Sequence, residues 1–339
     1  MNVARVTNFL DQAGLTWFAP VIRLCVGEDP KAQLKSLWML MGVPLVAIVL
    51  FLGLWNVTAA GVQTSLGTIP GPAQVWREFR NLVQSHHEER AKARAFYERQ
   101  RQRNAELLAK DSRAKVEIRP WTGKPTFFDQ ILTSLKTVFT GFLLASVVAV
   151  PLGILCGTSR IVMAALNPLI QVFKPVSPLA WLPIVTLIVS AAYASNDGWL
   201  PKSFIVSAVT VTLCSLWPTV INTAVGVASV DKDLINVARV LQLSWVTRII
   251  KIIIPSSLPL IFTGLRLSLG VGWMVLIAAE MLAQNPGLGK FVWDEFQNGS
   301  SQSLARIMVA VLTIGLIGFL LDRLMLTAQQ LFTYGERRT

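Results

Sequence analysis

Three ionisable residues, Lys174, Arg266 and Glu280, stand within or beside long apolar runs. A charge in such a place costs about 2.5–3.5 kcal/mol on membrane-insertion scales, so each needs a partner, water or a ligand. Arg266 and Glu280 are 14 residues apart, about 21 Å along a helix axis, which is too far for direct pairing. Arg266 therefore has two readings: attraction for an anion in a transmembrane path, or a structural charge that snorkels at the cytoplasmic boundary. The same pair of readings applies to Lys174, directly before a proline break. For Glu280 the expectation is a structural hydrogen bond or a contact at an outer gate.

A second stretch, Leu234 to Gly264, reads LINVARVLQLSWVTRIIKIIIPSSLPLIFTG. It is amphipathic and predicts a helix-turn-helix, with Ile235, Ala238, Leu241, Val246, Ile249 and Ile250 packing inward and Arg239, Gln242, Arg248 and Lys251 facing water. It cannot cross a membrane, but it can dock on a partner.

Catalytic chemistry is hard to assemble. There is no GxxxxGK[ST] phosphate loop, so ATP is not bound in that manner and energy must come from elsewhere. His86-His87 has no HExxH or cysteine neighbour, and Cys25, Cys156 and Cys214 are far apart, so neither a metal site nor a disulfide framework is expected. No nucleophile, base and orienting residue converge in the sequence. The chain is read as a non-enzyme with no catalytic residue, metal or cofactor of its own.

The elements that must position these residues are membrane helices. Of 339 residues 53% are hydrophobic and 15% charged, against roughly 25% charged for a soluble domain. Residues 1–36 predict an amphipathic segment at the membrane surface. Leu37 to Val57 is charge-free and long enough to span, with Trp38 and Trp55 as interfacial anchors. Residues 58–126 form a charged extramembrane arm, with a turn at Ile69-Pro70-Gly71-Pro72 followed by a solvated helical stretch from Ser85 to Arg119. Further spans are expected at Ile131–Gly157, from about Val176 to Ala192, and at Ser203–Val230, Leu258–Ala283 and Leu304–Met325. Pro168, Pro175, Pro178 and Pro183 break the third run, which predicts a short surface or half-buried helix up to about Phe173 before its span. Six spans place both termini on one side.

The net charge of +12 is largely local, with thirteen Lys and Arg between Arg77 and Lys124, and this argues against nucleic acid as a partner. Arg160, the basic residues between Lys232 and Lys251, and Arg337 and Arg338 share one side of the membrane. That side is read as cytoplasmic, which puts the arm outside.

The stretch before Pro255 resembles the cytoplasmic signature of the permeases of binding-protein-dependent ABC importers: Glu-Ala-Ala, three residues, Gly, nine residues, Ile, one residue, Leu and Pro. Asn236-Val237-Ala238, then Arg239-Val240-Leu241, Gln242, nine residues to Lys251, and Ile252, Ile253, Ile254 and Pro255 keep that register without a gap. Asn236 stands for the Glu, Val237 for the first Ala, Gln242 for the Gly and Ile254 for the Leu. Loss of the acid shifts docking toward shape and apolar burial, and loss of the Gly predicts a less sharp turn. Pro175-Val176-Ser177-Pro178-Leu179-Ala180-Trp181-Leu182-Pro183, Gly264-Leu265-Arg266 and Ala278-Ala279-Glu280-Met281-Leu282 look like the branch importing nitrate, nitrite, cyanate, bicarbonate and sulfonates, closest to nitrate permeases.

The resemblance implies an all-α membrane protein with six transmembrane helices. Residues 127–334 form a type I importer permease core with a cytoplasmic coupling helix, multi-pass in a cell inner membrane. The partners it implies are membrane lipid, cytoplasmic ATPases carrying ATP and Mg, a second permease copy, most simply the same chain, and a solute-binding protein on the outer face. Coupling would fall to Asn236, Val237, Ala238, Arg239, Leu241, Gln242, Ile252 and Pro255. The pathway would fall to Lys174, Pro178, Trp181, Arg266 and Glu280. Asn298, Ser300, Ser301 and Ser303 would form an outer loop facing the binding protein. A passive anion channel and a membrane enzyme built on the arm are the rival readings; co-purification with an ATPase separates them.

Overall fold

The computed structural model describes residues 19–26, 29–64, 67–111, 116–193, 200–300 and 302–334. Most of the amphipathic segment expected over residues 1–36 lies outside these; within it are helices α1 (Ala19–Val26) and the start of α2 (Pro30–Gly61). From Trp38 to Trp55 helix α2 is apolar on all sides and packs on little else, as suits a helix surrounded by lipid. It extends beyond the expected Leu37–Val57 at both ends. A two-strand hairpin, β1 (Gln63–Thr64) and β2 (Gly67–Thr68), then leads to the arm.

Helix α3 (Pro72–Lys110) is a single 39-residue helix, about 58 Å long. It is more firmly docked than a solvated arm, because Val75, Glu78, Leu82 and Ala93 are buried. The chain after it runs back along its surface. Arg119 exchanges two backbone hydrogen bonds with the Gln100 amide, the Trp121 N–H donates to the Tyr97 hydroxyl at 3.0 Å, and Trp121 lies 5.1 Å from Phe96.

The core comprises α4 (Phe127–Thr158), α7 (Lys202–Ala228), α9 (Trp245–Ala283) and α11 (Ser303–Tyr334). Helix α7 is the centre, gripped by α4 on one side and α9 on the other. Small residues permit the approach, as van der Waals packing rather than hydrophobicity drives helix association in lipid. A Cβ on Gly141 would lie 2.7 Å from the Ala208 carbonyl oxygen and from Val211, and Gly153 faces Thr223 and Val220 in the same way. From α9, Gly264 and Gly272 press on α7, and the Ser268 hydroxyl meets Thr219 at 2.6 Å and donates to the Ser215 carbonyl. Gly318 of α11 rests against Trp273, whereas Gly270 and Gly315 face open space.

The proline-rich run forms α5 (Arg160–Phe173) and α6 (Pro178–Ala192), bent by 101° across the break. Among the described residues, five helices are long and apolar enough to span, or six if this bent pair counts as one. Helix α9 overturns one expectation. The helix does not begin near Leu258, where the apolar run starts; it continues unbroken from Trp245, 39 residues in all. Pro255 removes a backbone donor, and the ladder accommodates it by widening: the Ile254 N–H reaches the Ile249 carbonyl, five residues back. Helix α2 uses the same device before Pro44, where the Val43 N–H reaches Trp38.

Close packing at the α4–α7 seam makes Gly141→Leu destabilising by about 1–3 kcal/mol through overpacking. Gly53→Leu on α2, where a Cβ meets nothing within 4 Å, leaves stability unchanged. Thermal unfolding of the two detergent-solubilised variants provides the comparison.

Candidate functional site

At one end of the bundle, α8 (Lys232–Val240) links α7 to α9. The Asp231 carboxylate caps its start by accepting from the Asp233 N–H at 2.9 Å. Its end is a Schellman turn: the Leu243 N–H donates to the Ala238 carbonyl and the Gln242 N–H to the Arg239 carbonyl, both at 3.0 Å. Gln242 lies in the left-handed region at φ 48°, where glycine is favoured. The expectation of a blunter turn is corrected: Gln242 adopts the glycine conformation, and the turn keeps its sharpness. Ser244 caps the following helix, accepting from the Thr247 N–H at 3.3 Å.

The apolar face of this hairpin is also redistributed. Ala238 is buried, and Ile235 and Ile249 pack against Ile154, Val227 and Ile253. Leu241, Val246 and Ile250, expected to pack inward, are instead exposed along with Val237, Val240 and Trp245. Asn236 and Arg239 are exposed too, whereas Ile252 and Pro255 are half-buried in the widened turn region. Val240, at 81% exposure, is the extreme of an apolar ridge that this chain leaves uncovered.

At the break between α5 and α6, Lys174 is exposed and Pro178 half-buried. Phe173 stacks on Trp217 of α7 with ring planes 7° apart and lies 5.8 Å from Trp181. These rings fix the bend against the core while Lys174 remains free to face its surroundings.

Sequence spacing could not reveal the partner of Arg266. Its guanidinium donates through Nε and Nη2 to the two carboxylate oxygens of Asp322, at 2.5 and 2.9 Å. The two residues are 56 positions apart, brought together where α9 crosses α11. They border a cavity of about 610 Å³ that also includes Thr263, Leu267, Gly270, Met274 and Gly318.

Glu280 is entirely enclosed, with 0% exposure. Its carboxylate accepts from the Ser134 hydroxyl at 2.8 Å and from the Gly289 N–H at 2.9 Å, while the Leu288 N–H donates to Ser134 Oγ at 2.9 Å. The glycines of Asn285-Pro286-Gly287-Leu288-Gly289 make room for this arrangement: a Cβ on Gly287 would overlap the carboxylate, and one on Gly289 would strike the Ile277 carbonyl. The segment leads into α10 (Leu288–Asn298), a helix for which the sequence offered no separate expectation. Nearby, Arg306 of α11 joins Glu78 of the arm at 2.7 Å and Glu295 of α10 at 3.3 Å. Ser303, expected in an outer loop, is buried and donates to Glu295 at 3.0 Å; Ser301 lies outside the described residues. Among the described residues, no three His, Cys, Asp or Glu side chains gather to hold a metal.

A multi-helix bundle with a short capped helix at one end and a proline-bent pair beside its core defines a membrane permease subunit. The family of binding-protein-dependent transport system inner membrane components matches residues 149–331, and the chain belongs to it. Membership makes it a multi-pass inner-membrane component of a binding-protein-dependent transport system. The nitrate import permease protein NrtB of Leptolyngbya laminosa is 41% identical over 197 residues, covering 58% of this chain and 66% of that one. The bicarbonate transport system permease protein CmpB of Synechococcus elongatus is 33% identical over 304 residues, 88% of this chain and 92% of that one. A chain of the inward-facing MetNI methionine ABC transporter shares the fold, with a TM-score of 0.52 and 14% identity over 61% of this chain and 96% of its own.

The left-handed Gln242 sets up an opposed pair of substitutions. Gln242→Gly raises stability by less than about 1 kcal/mol, because relief of the left-handed penalty is partly offset by glycine's entropy. Gln242→Val lowers it by more than about 1 kcal/mol, because a β-branched residue tolerates this conformation worst. Unfolding midpoints of the two variants in one detergent give the signs.

Proposed function

We propose that this chain is the permease of an ATP-driven importer carrying nitrate or nitrite across the inner membrane. The similarity to NrtB at 41% identity carries this reading. Bicarbonate is the second reading, favoured by the CmpB alignment, which extends over nearly the whole of both chains. Cyanate and organosulfonates come after these.

In this mechanism α8 is a cytoplasmic coupling helix. An ATPase groove receives the uncovered ridge of Val237, Val240 and Leu241, with Asn236 and Arg239 as polar edges and Ala238 seating the helix on its own bundle. With a neutral Asn236 in place of an acid, apolar burial at about 25 cal/mol per Å² supplies most of the docking. The Gln242 turn holds the helix at a fixed angle, and Ile252 and Pro255 pass its movement through the widened turn into α9. Two copies of the chain enclose the path, and the arm lies on the outer face with the binding protein. The bend at Lys174, Pro178 and Trp181 lies beside that path, because irregular backbone at membrane depth is tolerated only against protein or water. Glu280, enclosed by Ser134 and Gly289, serves the outer packing rather than the solute.

Reconstituted with its ATPase and binding protein, the transporter is expected to take up labelled nitrate in an ATP-dependent manner, with bicarbonate a weak competitor. Uptake of bicarbonate with no response to nitrate would select the second reading, and uptake of neither would sink both. Lys174→Ala is expected to lower uptake at least several-fold while the ATPase still co-purifies; unchanged uptake would remove Lys174 from the path.

A further inference from the structure

A charged pair at hydrocarbon depth is tolerated when protein or water covers it. The Arg266 and Asp322 side chains nevertheless keep 37% and 40% of their surface uncovered by this chain. The stripe that carries Arg266 is distinctive. Thr263, Arg266, Leu267, Gly270 and Met274 follow the i, i+3, i+4, i+7, i+11 spacing of one helix face, and all five border the 610 Å³ cavity. The other face of α9, through Gly264, Ser268 and Gly272, is pressed on α7. One turn above the guanidinium, Gly270 contributes no side chain, and a Cβ there would meet nothing within 4 Å. Gly318 borders the same space from α11. The cavity is therefore open beside the positive charge, and apart from Thr263 its remaining wall is apolar.

The donors have a specific geometry. Asp322 occupies Nε and Nη2 of Arg266, and a guanidinium has five N–H groups, so the Nη1 edge and one Nη2 hydrogen remain for another acceptor. A small planar oxyanion presents in-plane lone pairs that match such an edge. Asp322 beside it reduces the net positive charge, which suits a site that an anion visits and leaves.

We propose that the Arg266–Asp322 pair and the open face at Gly270 form a transient subsite for a small planar oxyanion in the translocation path, with Arg266 donating to the anion and Asp322 tempering its hold. The inference rests on the reading of this chain as a small-anion permease and assigns that path a particular depth. Asp322 is a positioning residue in this arrangement: it orients the guanidinium and speeds release.

The test uses the complete transporter in proteoliposomes, with Cys25, Cys156 and Cys214 replaced by alanine and Gly270→Cys introduced. Its rates of labelling by an anionic sulfonatoethyl and a cationic trimethylammonium methanethiosulfonate are each normalised to that reagent's rate with a free thiol. The subsite predicts at least a tenfold preference for the anionic reagent, lost when Arg266→Gln and Asp322→Asn are combined. No labelling would mean that Gly270 faces lipid, and labelling without charge preference would mean that the pair attracts no anion; either overturns the proposal. In the native-cysteine transporter, Asp322→Asn is expected to lower both KM and maximal uptake by several-fold, a split that a merely structural salt bridge does not produce. A raised KM would overturn the release role. Failure of the parent to transport nitrate or bicarbonate concerns the function reading alone, because the reagent preference is measured without either solute.

Discussion

The bundle depends on the close contact of α7 with its two neighbours. Lipid gives no hydrophobic reward for bringing helices together, so backbones must approach closely enough for dispersion and small polar contacts to hold them. Helix α7 meets this requirement with Ser207, Thr210, Ser215, Thr219 and Thr223 buried on its surface, and of these Ser215, Thr219 and Thr223 face Gly272, Ser268 and Gly153. Thr210 and Ser215 donate to the Val206 and Val211 carbonyls of their own helix at 2.8 and 2.7 Å, and Thr219 pairs with Ser268, so these three hydroxyls are satisfied inside the bundle. With α7 fixed, the two helices that it joins in sequence to α8 are fixed as well, and the short capped helix has a firm base.

Charges in this structure divide into those that assemble the protein and those left partly free. Glu280, Glu78, Glu295 and Arg306 belong to the first group, each engaged with hydroxyls, backbone N–H groups or one another at the end where the arm meets α10 and α11. The Arg266–Asp322 pair belongs to both groups, because it fastens α9 to α11 while bordering a cavity. Lys174 at the bend is exposed. The graded burial follows from the cost of charge in a membrane: full enclosure demands a full set of partners, and partial exposure demands water or another chain.

Much of the fold was legible because the membrane constrains sequence so strongly. Charge-free runs of sufficient length marked the spans, and clustered prolines marked the α5–α6 bend. The register from Asn236 to Pro255 located α8 without any structural help. Other features left no local trace. Asp322 lies 56 residues from Arg266, and Glu78 lies 228 from Arg306, separations at which no helical spacing rule operates. The continuation of α9 to Trp245 was hidden by Pro255, which normally reads as a terminus; a widened turn absorbs it here, and the same device recurs before Pro44. The buried half of the arm was obscured by its charge density, since the few inward positions, Val75, Glu78 and Leu82, are outnumbered by solvated neighbours.

Helix α9 runs as one rod from Trp245, immediately after the α8 turn, to Ala283, just before the Gln284 turn that leads to α10. A rod cannot be displaced at one end alone. A tilt imposed near Trp245 must appear with opposite sense at Glu280, about 52 Å away, unless it is taken up at the loosened ring of residues 249–253. The stiffness of those five residues thus sets how much of a small rotation on one membrane face is delivered as displacement on the other.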